Sequence, residues 1–479
     1  MTKESSRRWW ILGLAAIAQL TVVLDMTVVN VALPSAQAAL HFGNGDRQWV
    51  VTAYSLAFGS LLLLGGKITD LFGRKWTLIA GLAGFAIASA VGGAATSFGM
   101  LAGARAVQGA FAAVLAPATL SILTTTFTEP ADRNKALGIY GAIGGSGASV
   151  GLLLGGVLTE VLDWRYVMYV NVLLAVVPIA GALVLLRNHR PQTRPALDLR
   201  GTVTVAAGLF ALVFGFSHAQ MTSWGNAVTI SMLAAAVVLL ALFGWLETRT
   251  AEPLLPLRLL ADRHRGASIV SILVTSAAMF GVFLFLTYYL QENLGYSPIT
   301  SGLAFLPMTL VLVVTATLAS TKLQRRFAPG ALVAGGMAIS AASMLYLSRL
   351  GVHASYTADI LPTLLGMGVG LGLIFPTAMN HGTQGVDSDD AGVASAAVNT
   401  SQQIGGSIGT ALLSTIAASA ATAYVSSSHG AVAAAVHGYT TAFAWSAAAF
   451  FAGAVLALFM FGRAKPAAEP STEAVPAFH

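Results

Sequence analysis

The chain is a succession of apolar runs parted by short polar connections. A bilayer span needs about 20 predominantly apolar residues. Fourteen runs meet that measure: residues 9–38, 48–66, 76–96, 99–124, 137–159, 166–186, 201–219, 226–246, 267–290, 299–320, 329–349, 357–379, 391–420 and 438–462. The division between the seventh and eighth rests on AQMTSWGN alone, and the thirteenth run is unusually long. Because backbone groups in lipid must be paired within the segment, the pattern predicts an all-α polytopic membrane protein.

Polar residues change the picture in three ways. With the N-terminus placed in the cytoplasm, 21 of the 25 Lys and Arg fall in cytoplasmic segments, leaving Arg47, Arg165 and Arg349 outside and Arg105 within a span. That asymmetry predicts an inner-membrane protein with both ends cytoplasmic. Only 9% of residues are charged, which excludes a soluble fold, and the net charge of +6 is scattered over short loops, which argues against a nucleic-acid partner. There is no Cys, so disulfides and thiolate metal sites are excluded. The basic residues ahead of the first run, with Ala36-Gln37-Ala38 after it, suggest a secretory signal. The run is too long for one and contains an acid, so it reads as an uncleaved span.

A faint repeat is also visible. GKITDLFGRKW at 66–76 lies 255 residues before TKLQRRFAPGA at 321–331, each a basic connection between two spans. Two six-span halves with an inserted helix pair would give that offset. The domains expected are residues 1–190, an insertion at 191–265, a second bundle at 266–462, and a disordered tail at 463–479 rich in Pro and Ala.

No Walker loop occurs, since Gly66-Lys67 is followed by Ile68, and the His residues show no metal-ligand spacing. Neither an enzyme nor an ATP-driven pump is expected; no cofactor is needed, and an ion gradient is the energy source that suits a buried acid. That acid is Asp25, the one carboxylate deep in a span. An ionised Asp at a helix centre costs roughly 2.5 to 3.5 kcal/mol, so it requires a partner, a wet cavity or a proton. Thr21 lies one turn away on the same face and Ala18 and Ala32 two turns away, a stripe that suits a helix lining a cavity. A structural acid tied to neighbouring hydroxyls is the other reading.

Three stretches carry a family resemblance: LDMTVVNVALP at 24–34, GKITDLFGRKWTL at 66–78 and LAGARAVQGAFAA at 101–113. In order and spacing they resemble the major facilitator superfamily, and more narrowly its fourteen-span drug:proton antiporters. GAIGGSGASVGLLLGGVLTE at 141–160 is similar to the glycine-rich antiporter signature, although Leu152 and Leu173 stand where family members usually carry Pro. A straighter fifth helix is expected from the missing proline. The resemblance implies that Asp25 is a proton or cationic-substrate site, that Arg105 modulates it, and that the loop with Gly66, Asp70, Gly73, Arg74 and Lys75 is a cytoplasmic gate latch.

From the residues themselves, Arg105 lies close enough in depth to reach Asp25, with Gln108 on the same side; a fixed structural charge explains Arg105 as well. Asp70 is placed to accept from a helix N-terminus. Asp389 and Asp390 sit in the one cytoplasmic connection lacking a base, which suggests pairing with Arg74 or Lys75 when the inner side is shut; a solvated loop is nearly as good a reading. Gly147, Gly151 and Gly155 repeat on one face, with Gly156 beside them, and serve close packing or gating alike. Asn30, Tyr54, Phe283, Tyr288, Gln291, Asn399 and Gln402 are candidates for a substrate cavity, and ordinary packing explains each one singly.

The expected function is proton-coupled export of amphipathic, cationic or aromatic compounds by a monomer, through alternating access. Alternatives are a dedicated exporter of a metabolite, lipid or siderophore, and a non-transporting membrane sensor on the same scaffold.

Overall fold

Apolar composition forces the backbone to satisfy itself, and the chain does so entirely with helices among the described residues. The computed structural model describes residues 3–187, 198–250, 253–387, 390–425 and 430–461. Fourteen long helices follow one another: α1 Lys3–Leu40, α2 Asn44–Phe72, α3 Arg74–Gly93, α4 Phe98–Thr126, α5 Pro130–Val161, α6 Tyr166–Leu185, α7 Leu199–Met221, α8 Ala227–Glu247, α9 Arg263–Tyr288, α10 Pro298–Leu318, α11 Pro329–Leu347, α12 Leu361–Thr383, α13 Ala391–Val425 and α14 Ala431–Phe461. Thirteen are long and apolar enough to span a membrane; the other, α5, has 32 residues and a glycine-rich middle.

Local chemistry explains the boundaries. Ser97, Asp198, Asn226, Asp262 and Ser297 each accept a backbone N–H at the start of α4, α7, α8, α9 and α10. Pro130, Pro298 and Pro329 occupy first-turn positions where no N–H is needed. Between α2 and α3 the chain turns on Gly73 at φ 84°, a conformation that side chains resist. The division at AQMTSWGN is real, and the thirteenth run is one helix. Helix α1 runs on past Pro34 to Leu40. Wider π turns at Tyr289–Asn293, Ala319–Leu323 and Tyr356–Ile360, and a one-turn helix at Leu257–Ala261, were not signalled by hydropathy.

Helices α1 to α6 pack together, as do α9 to α14. Close approach within the first set depends on the glycine stripe of α5. A Cβ on Gly147 would fall 2.5 Å from Val23, one on Gly151 1.8 Å from Thr27 Oγ1 and one on Gly155 3.0 Å from the Val28 carbonyl, so these three seat α5 on α1. Gly156 faces Ile299 of α10 instead, across the two halves. The fifth helix runs unbroken through Leu152.

Helix α1 begins and helix α14 ends on one face, here the terminal face. Arg7 reaches the Leu185 carbonyl at the end of α6, and Arg263 reaches Met460 at the end of α14. On this face the halves are shut together. Asn380 of α12 donates to Asn134 of α5 at 2.6 Å, and Arg133 donates to the Thr383 carbonyl at 2.7 Å. The α7–α8 pair lies alongside, with α7 against both α2 and α13. Behind it Leu254, Leu255 and Leu259 are buried with Leu63, Val205, Phe243 and Val393. Glu247 accepts from the N–H groups of Leu254 and Leu255, turning this segment beneath the seam.

Candidate functional site

Asp25 is 1% exposed, and its carboxylate is held from three sides. Arg105 of α4 donates Nη1 to Oδ2, Asn171 of α6 donates Nδ2 to Oδ1 at 2.7 Å, and Gln108 donates Nε2 to Oδ1 at 3.2 Å. Gln108 also donates to Ser89 Oγ of α3 at 2.6 Å. Arg105 is fixed in turn by the Val50 carbonyl of α2 and by the Tyr54 ring, whose centroid lies 4.3 Å from the guanidinium carbon. Each charged group thus has an opposite charge and further hydrogen bonds, which is what a buried pair requires.

The expected cavity-lining face is buried inside the first six-helix set. Thr21, Ala18 and Ala32 do share a side with Asp25, and all are buried. The stripe faces into the first six-helix set, because α4 and α6 bring amide and guanidinium donors to it there. Arg105 and Gln108 are where the depth count expected them. Asn171 and Ser89 were missed; Asn171 stands in the WRYVMYVNV stretch, but nothing in one sequence shows that it converges on Asp25.

The cavity candidates do not form one group. Tyr54 is 1% exposed beneath Arg105. Phe283 stacks on Phe305 at 5.4 Å, within the packing of the second half, and Tyr288 lies exposed near Tyr439. Asn399 donates to the Ser395 carbonyl of its own helix. Gln291 and Gln402 are half-buried on α9's π extension and on α13. The Asn30 side chain lies outside the described residues.

On the terminal face Asp70 receives the N–H of Gly392 at 2.9 Å and of Val393 at 3.1 Å, capping α13 from α2. Gly66 makes this possible, since a Cβ there would stand 2.6 Å from Ala396. Arg74 donates to Ser121 at 2.8 Å and Lys75 to the Leu183 carbonyl at 2.8 Å. Within the acid cluster Asp390 pairs with Arg258 of the one-turn helix at 2.6 Å, a base that the sequence did not single out. That segment folds back on α8 through the bonds of Leu254 and Leu255 to Glu247. Asp389 lies outside the described residues, as does the tail 463–479. One further polar chain, unforeseen, joins Gln19, Tyr140 and Thr119 across α1, α5 and α4.

Two six-helix sets closed at one face, with a charge pair buried in the first, define a polytopic membrane transporter. The comparisons agree. Residues 15–410 match the model of the Major Facilitator Superfamily, and the chain belongs to that family. It is 44% identical over 475 residues to the puromycin resistance protein pur8 of Streptomyces alboniger, covering 98% of this chain and 94% of that one. It is 39% identical to the cephamycin export protein CmcT of Amycolatopsis lactamdurans, over 87% of each chain. Among solved structures, the human organic anion transporter MFSD10 shares the fold at a TM-score of 0.64 and 14% identity, covering 95% of this chain and 100% of that one.

Proposed function

We propose that the protein is an efflux transporter of the cytoplasmic membrane that exchanges protons for amphipathic, cationic or aromatic drugs by alternating access, acting as a monomer and without catalysing a reaction. Its relatives are named for resistance to or export of antibiotics, which supports drug efflux. The observation that carries proton coupling is the Asp25–Arg105 pair, an ionisable couple wholly enclosed by protein.

Protonation of Asp25 from outside cancels the attraction and leaves Arg105 with only neutral partners. The guanidinium must then move, and α1, α4 and α6 repack around it. Helix α1 passes the shift to α5 through the glycine stripe, and α4 passes it to α13, the helix that Asp70 caps. The terminal face is taken as cytoplasmic because the basic loops gather there. The latch of Gly66, Asp70, Gly73, Arg74 and Lys75, with Asp390, then serves as the inner gate. Residues 1–190 and 266–462 are the rocking halves and 191–265 the insertion. Asn30, Gln291, Asn399 and Gln402 remain the polar candidates for the substrate path.

A second reading has its own support: several relatives are named for a single compound, puromycin, cephamycin or tetracenomycin C. A dedicated exporter of one aromatic metabolite would keep the same fold and coupling. Reconstituted vesicles with an imposed pH gradient test both. Export of many compounds supports the multidrug reading and export of one the dedicated reading. Gradient-driven export that survives Asp25→Asn removes proton coupling at this acid.

A further inference from the structure

Asp25 and two of the side chains that hold it, Arg105 and Asn171, each stand one helical turn from the wall of the same pocket. Val29 is four residues beyond Asp25 on α1; Leu101 is four before Arg105 on α4 and Val167 four before Asn171 on α6, both antiparallel to α1. Ala32 and Val50 complete the near wall, and the Val50 carbonyl itself accepts from Arg105. The pocket has room for about one water molecule, and it lies on the side of Asp25 away from the terminal face. Its lining is apolar. On residues one turn beyond the lining side chains Val50 and Val167, Tyr54 Oη and Asn171 Oδ1 are buried without a hydrogen-bond partner.

We propose that this pocket is the proton inlet, a dry throat within the first six-helix set that wets briefly and delivers hydronium to Asp25 without crossing the seam between the halves. The inference rests on Asp25 being the coupling acid. An apolar throat excludes water most of the time, which keeps protons from leaking. The two unpartnered oxygens are the groups that would hold an incoming water. In the step itself hydronium gives one proton to Oδ1 of Asp25 and leaves as water; one of the two amide donors on that oxygen, Asn171 or Gln108, lets go, and no electrons are exchanged. Proton and drug then travel by separate routes, so a cation need not compete for the carboxylate, contrary to what a single deep acid suggests from sequence.

The test needs no substrate. Purified protein in lipid nanodiscs is taken through a rapid acid jump, and the carboxylic-acid carbonyl band absent from Asp25→Asn is followed by infrared absorption. Ala32→Leu, or Ala36→Leu nearer the mouth if the first fails to fold, should slow that band at least tenfold without moving its midpoint pH. Val167→Ala, which widens the throat, should speed it. Equal rates in wild type and a filled variant would overturn the inlet while leaving Asp25 as the coupling acid. A wild type with no such band at any pH that preserves the fold would instead overturn the coupling reading.

Discussion

Asp70 caps a helix that belongs to the other half of the molecule: its two carboxylate oxygens take the first free N–H groups of α13, at Gly392 and Val393. A side-chain cap at a helix N-terminus contributes about 0.5 to 2 kcal/mol. Here that energy depends on α2 and α13 being together, so it favours the state closed at the terminal face.

Asp70→Ala should therefore move the population towards the state open at that face by roughly 2- to 30-fold. The chain has no Cys, so single cysteines report accessibility cleanly. A cysteine at Ala396, wholly buried here, should react faster with a membrane-impermeant thiol reagent in the Asp70→Ala background. An unchanged rate would mean that the cap does not hold the face shut.

Arg258 and Asp390 make an exposed pair, with side-chain exposures of 70% and 21%. Pairs of this kind are worth at most about 1 kcal/mol. Arg258→Glu or Asp390→Arg alone should raise reactivity at position 396 by no more than about 5-fold, and the exchanged pair should restore it. The same exchange between Lys75 and Asp390 should restore nothing.

Breaking the buried pair is a larger perturbation. Asp25→Asn leaves the Arg105 charge without a carboxylate and should destabilise the fold by roughly 3 to 5 kcal/mol. Adding Arg105→Gln should recover part of that loss, making the double variant more stable than the sum of the singles. Denaturant unfolding in detergent checks the cycle.

Gly151 is the tightest point of the α1–α5 contact, with Thr27 Oγ1 where a Cβ would go. Gly151→Ala should cost about 1 to 3 kcal/mol by overpacking, and Thr27→Ala should rescue most of it. At Gly155 the obstacle is backbone of Val28, so Gly155→Ala should resist rescue by any substitution at residue 28. Thermal unfolding of the four variants separates the two cases.

The fourteen helices were legible because hydropathy and loop charge respond to the same bilayer. Asp25, Arg105 and Gln108 were legible because helix pitch fixes depth, and depth decides which side chains can meet. Asn171 and Ser89 were not, since an amide or hydroxyl in a span does not declare the helix it faces. The pairing of Asp390 with Arg258 was not legible for a similar reason: only the hydrogen bonds from Leu254 and Leu255 to Glu247 reveal that the following segment doubles back and carries Arg258 there. Tyr54 looked like cavity lining because aromatic rings suit both drugs and guanidinium groups.

Because α7 rests on α2 and α13 together, it screens one flank of the molecule from lipid along the line where the halves meet. The opposite flank, where α5 meets α10, has no such screen among the described helices. The protein therefore has a front and a back that its internal symmetry alone would not give it.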